Sequence, residues 1–184
     1  MHFEFFEVGG DRVLEQAIGG RIFGNFSREL PQKSLRLTAR DKYGKNRLEH
    51  NFFPNKDLFS YKELIVRNAG TDWNFAHLRD AFIHNWVEGH TFIDTQASRP
   101  CVVFINGKYW GVYHLREYIS RHMIASHHGF NPDHMNILEA YEHPKEGSNI
   151  GFKRLCDFIS AHDLGLARNF DTVKAHFDVR NLTD

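Results

Sequence analysis

The sequence predicts an α+β fold built on an antiparallel sheet. Two observations carry this reading: the periodic segments run in the order strands, one helix, a hairpin and then mostly helix, and an Asn106-Gly107 pair separates two β-rich runs. The 184 residues have the length of one domain, and no repeat, low-complexity tract or Pro/Ser-rich linker divides them.

Phe3, Phe5 and Val8 open the chain with strand-like spacing before Gly9-Gly10, which reads as a strand and a turn. Residues 34–40 alternate Leu35, Leu37 and Ala39 against Arg36, Thr38 and Arg40, the pattern of a half-buried strand with a basic outer face. Residues 41–61 are rich in Lys, Asn, Phe and Pro and read as a long surface connection pinned by Phe52 and Phe53. Glu63 to Arg67 gives a short interior strand. Asn74 is the expected cap of a helix in which Phe75, Leu78, Phe82 and Trp86 form one apolar stripe, expected to face the core, with Gly89 at its end.

Next come two β-rich runs, 101–105 and 108–113, flanking Asn106-Gly107, the pair best able to adopt the positive φ angles of a type I′ turn. A helix is expected over 118–128, closed by Gly129 and followed by the breaker Asn131-Pro132, and a strand over 136–140. Helices over about 150–162 and 169–176 follow, and Asp178 reads as the cap of one more.

Charge and cysteine content narrow the function. Lys plus Arg equals Asp plus Glu at 23 each, so no global field draws the chain to nucleic acid or an anionic membrane, and a phosphate site must be local. No apolar run reaches the roughly 18 residues of a spanning helix. Cys101 and Cys156 form no zinc pattern and are expected as buried free thiols, with one disulfide as the alternative. The first residues lack the basic and apolar regions of a secretory signal. Among thirteen histidines, His122, His127, His128 and His134 cluster in sequence without the HExxH spacing of a zinc site and are expected as solvated helix residues. No serine sits in a GxSxG elbow.

Three phrases carry a family resemblance. The first holds Arg21, Gly24, Ser27, Arg28, Pro31, Lys33 and Ser34. The second holds Arg67, Asn68, Gly70, Asp72 and Trp73, with Arg79-Asp80 after it. The third runs from Phe104 through Asn106-Gly107-Lys108-Tyr109-Trp110-Gly111 to Tyr113 and Glu117, with Lys108 where an acidic residue is common. Together, in this order, they resemble the CotH spore-coat kinase family.

The resemblance implies a protein-kinase-like small lobe with an antiparallel sheet and one main helix, over about 1–117. The beginning of a helical lobe follows over about 118–184. It implies ATP and Mg²⁺ as ligands and protein Ser/Thr side chains as acceptors. Phosphoryl transfer needs cations beside the phosphates, and Arg28, Lys33, Arg36 and Arg67 are the candidates, against a merely solvated basic strand face. Asp72 is the candidate metal ligand. Asp80 would pair with a phosphate-contacting cation, as the αC acid does in protein kinases, or with Arg79 or a neighbouring turn. Glu117 would touch adenine or ribose, or form a structural salt bridge. Gly19-Gly20 and Gly24 match neither a Walker loop nor the kinase Gly-rich loop and read as turn glycines.

In the family, a segment like 178–184 leads into an N-x-D-W-x-x-x-N stretch whose Asp and Asn are taken as catalytic and metal-binding. The remainder of the domain is therefore expected beyond Asp184, and no catalytic residue is assigned within the chain. An extracellular or cell-surface place is favoured for the parent protein. The rival expectation is a non-catalytic binding or structural module in a larger surface or spore-coat-like assembly.

Overall fold

The computed structural model describes residues 1–183. They form mixed α/β structure with antiparallel sheets and five α-helices. Strands β1 (His2–Phe6) and β2 (Arg12–Ala17) make a hairpin. Strands β3 (Gly19–Phe23) and β4 (Ser34–Thr38) follow, then the short pair β5 (Leu48–Glu49) and β6 (Ser60–Tyr61), then β7 (Glu63–Arg67). Helix α1 (Arg79–Val87) precedes the long hairpin β8 (Ser98–Ile105) and β9 (Lys108–Glu117). Helix α2 (Arg121–His128), strands β10 (Ile137–Glu139) and β11 (His143–Glu146), and helices α3 (Ile150–Ala161), α4 (Ala167–His176) and α5 (Val179–Thr183) complete the order.

The main sheet has the antiparallel order β3-β4-β7-β9-β8. Successive residues of a strand point to opposite faces, and the register sorts the two faces by chemistry. Leu37 pairs with Leu64, and Leu35 with Val66 and then Leu115, on one face. That face packs against Leu14 and Ile18 from the first hairpin and Phe52, Phe53 and Tyr61 from the connection, giving the core. Phe52 and Phe53 are wholly buried, as the sequence predicts. The other face carries charge: Arg21, Arg36, Ile65 and Arg116 stand side by side across four strands.

The predicted hairpin is present, with Asn106 and Gly107 at φ of 50° and 75°. Helix α2 begins later than expected because Ser120 caps it, its side chain accepting the Met123 N–H, and Gly129 ends it in the left-handed region. Asp178 receives the Asn181 N–H at 3.0 Å and caps α5 as expected.

Three expectations need correction. Helix α1 starts at Arg79 without a cap from Asn74, and its stripe is exposed: Phe75, Leu78, Phe82 and Trp86 are 72, 51, 55 and 67% accessible. Periodicity reports a helix's own apolar face, not what covers it. Cys156 is exposed and Cys101 half-buried, both as free thiols; burial pushes the Cys101 thiol up to about 11. Gly19 and Gly20 lie inside β3 rather than in a turn, while Gly24, at φ 111°, does turn the chain.

Candidate functional site

The charged face of the sheet floors an open cleft of about 820 Å³ that β3 and its following loop, α2 and the β10–β11 hairpin wall in. Five cations line it: Arg21, Arg28, Arg36, Arg121 and Lys145. Three carboxylates line it too, and each is already paired. Glu63 holds Arg36, Glu146 lies 3.4 Å from Arg121, and Glu139 lies 3.6 Å from Lys145. Arg21 and Arg28 have no carboxylate partner among the described residues, so the cleft carries surplus positive charge.

Tyr118, just past β9, organises one wall. The Arg36 guanidinium lies 3.8 Å from its ring centroid and donates to its hydroxyl at 3.0 Å, and Lys145 stands 5.0 Å from the same ring. Phe23 meets the ring edge-on at 5.8 Å. Cation–π contacts of this kind hold the cations in place without neutralising them. His122 also lines the cleft, and burial lowers its pKa, so it stands neutral near pH 7.

A second cluster lies under α1. Arg67 of β7 donates through Nε and Nη2 to the same Asp80 oxygen, at 2.9 and 2.6 Å, and Arg116 Nη1 reaches it at 3.4 Å. Asp80 thus pairs across elements with Arg67 and Arg116 rather than with Arg79. Arg79 instead belongs to Asp72, which is 2% exposed. The Asp72 oxygens accept the backbone N–H groups of Arg79 at 3.0 Å and Ala76 at 3.4 Å, which lowers its pKa. Asp72 is therefore the carboxylate that orders the start of α1.

Glu117 is 1% exposed and faces away from the cleft. It accepts the Ala97 N–H at 2.9 Å and bonds His127 Nε2 at 2.8 Å, making the structural bridge that was one of its two expected roles. His127 is thereby corrected from a solvated residue to a half-buried ion-pair partner. His128 holds Asp94 at 2.8 Å and stays exposed.

Of the sequence candidates, the structure brings Arg28 and Arg36 into the cleft and Arg67 with Asp80 into the second cluster. Lys33 is spent on the Arg28 carbonyl at 2.5 Å and does not line the cleft. Arg21, Arg121 and Lys145 were not singled out. Arg21 lies in the first phrase and shares the Arg36 face, which the β3–β4 register alone reveals.

The three phrases meet in space. Ser34 donates to Asn68 Oδ1 at 2.7 Å, the Asn68 N–H returns to Ser34 Oγ at 2.9 Å, and the Gly70 N–H also reaches Asn68 Oδ1, at 3.0 Å. Gln32 accepts from the Trp73 indole at 2.9 Å and donates to the Val112 carbonyl at 2.8 Å. Much of each phrase is thus the scaffold that fixes the strands beneath the cations.

These features define a sheet-and-helix protein with a cation-lined cleft suited to a polyanionic ligand. A family model described as "CotH kinase protein" matches residues 21–182, and the chain belongs to that kinase-like family. No curated protein and no solved structure matches it.

Proposed function

We propose that this chain supplies the nucleotide-gripping part of an atypical protein kinase whose parent protein moves phosphate from ATP to protein Ser or Thr hydroxyls. The observation that carries the reading is the Arg67–Asp80 pair. A strand cation clamped by a carboxylate on the helix that follows is analogous to the strand-lysine and helix-glutamate pair that protein kinases require, which supports the reading. The cleft beside it, with Arg21 and Arg28 unpaired by any carboxylate among the described residues, suits a triphosphate. In this reading, residues 1–117 form the small lobe and 118–184 begin a helical lobe.

ATP fits the residues present; Mg²⁺ does not. The ion prefers near-octahedral oxygen ligands, yet the three cleft carboxylates are ion-paired and Asp72 is occupied by backbone N–H groups. Among the described residues, one group of three side chains could converge on an ion, His2, Glu4 and Glu15. It is exposed on the first hairpin, and Arg12 already bridges its carboxylates. No step is therefore drawn through a metal, and the 184-residue chain alone is expected to transfer no phosphate. Transfer from γ-labelled ATP to a Ser-rich protein, proportional to purified chain and abolished by EDTA, would contradict this.

Photo-crosslinking with an azido-ATP tests the binding claim. Label is expected on peptides spanning 21–36 and 118–147, suppressed by excess ATP; label confined to other peptides would overturn it. A non-catalytic binding module is the second reading, favoured by the exposed Phe82 and Trp86 on α1 and Phe75 just before it. Absence of any ATP-suppressible label would favour it.

A further inference from the structure

Arg116 is 2% exposed, yet its Nε and Nη2 find no acceptor among the described residues. Its single carboxylate contact, Asp80, is already engaged more closely by Arg67. Two guanidinium groups thus share one carboxylate, which leaves one positive charge without compensation in a desolvated place. The side chains around them add no negative charge. Arg67, His77, Arg79, Asp80, His114 and Arg116 line a common pocket, and the Arg79 charge is answered by Asp72. His114 Nδ1 is likewise buried without a partner among the described residues.

A buried cation without a counter-charge is strongly unfavourable, so an anion is the occupant that this chemistry recognises. Size favours a monatomic anion over a tetrahedral phosphate group, since the pocket holds only about 10 Å³. We infer that the pocket beneath α1 is a binding site for one small monoanion of halide size, held by Arg116 and Arg67 and completing the charge balance with Asp80. Bound there, the anion would lock α1 onto the sheet through the same cations that hold Asp80. The site stands whether or not a nucleotide enters the neighbouring cleft.

The test uses the whole chain and varies chloride against gluconate at constant ionic strength, which removes general screening. Each tenfold rise in chloride above the dissociation constant should raise Tm by about 3–5 °C. Arg116→Gln should abolish that dependence, while Arg12→Gln, an exposed cation on the first hairpin, should keep it. A chloride-independent Tm for the unaltered chain, or an unchanged dependence in Arg116→Gln, overturns the site. Should Arg116→Gln fail to fold, crystals of the unaltered chain in bromide decide. An anomalous peak in contact with the Arg116 guanidinium supports the proposal, and an ordered water there without one overturns it.

Discussion

Arg116 and Glu117 are neighbours on β9 whose charges point to opposite faces and are handled differently. Arg116 shares Asp80 with Arg67, whereas Glu117 has a backbone N–H and His127 to itself. Removing Asp80 should therefore cost more than its position suggests. Asp80→Asn is expected to lower stability by about 2–3 kcal/mol in urea melts, below the full buried-pair value because Asp80 is 38% exposed. A cost near zero would mean that the two arginines are compensated elsewhere.

The His127–Glu117 bond and the Glu7 cluster give opposite pH dependences. The bond to Glu117 raises the His127 pKa above its ordinary 6.5. That contribution is full below 6.5 and fades as pH climbs through the raised value. Glu7, bonded by Arg99 and His50, is lowered from 4.5 to about 2, so its contribution is full above 4.5 and fades as pH falls toward 2. Urea melts should show His127→Gln flattening the alkaline decline and Glu7→Gln the acidic one; an exchange of these effects would contradict the assignments.

Among the elements, the turn and inner part of the hairpin β8–β9 were legible because Asn-Gly is a local signal for a local structure, while the strands extend beyond 101–113 to Ser98 and Glu117. Strand β7 was legible for a related reason, since its apolar run matches an interior strand with Leu64, Ile65 and Val66 all buried. Strands β2, β3 and β11 were not. In β2 the two buried positions are Leu14 and the polar Gln16, which hides the alternation, and β11 carries Pro144 and three ionisable neighbours at a sheet edge. Helix α1 misled in the other direction, since its stripe looked like core. Phe52→Ala should cost about 3–5 kcal/mol as a true core truncation, whereas Phe82→Ala should cost under about 1 kcal/mol. Equal costs would place α1 against a surface in solution. The same exposed stripe, together with the accessible Val102, Phe104 and Tyr109 of the hairpin, should bind hydrophobic dyes. Dye fluorescence should fall in Phe82→Ser/Trp86→Ser.

At the scale of the molecule, the family phrases mark residues that lie far apart in sequence and close together in the fold. Asn68 lies 34 positions from Ser34, and Gln32 lies 80 positions from Val112, yet both pairs are hydrogen-bonded. Those pairings could not be read from spacing, because register and strand order decide them. The candidate site was legible to the same degree: Arg28 and Arg36 were found, but Arg21, Arg121 and Lys145 join them only once the sheet, α2 and β10–β11 are assembled. The central claim is that this assembly grips a nucleotide by the cleft cations that no carboxylate among the described residues neutralises. Calorimetric titration with ATP tests it most directly. The unaltered chain should bind at about millimolar, roughly −4 kcal/mol. Arg21→Ala/Arg28→Ala should weaken that by about five- to thirtyfold, for two cations worth about 0.5–1 kcal/mol each, and His128→Ala should leave it unchanged. Undiminished affinity in the double variant, or loss in His128→Ala, would contradict the account.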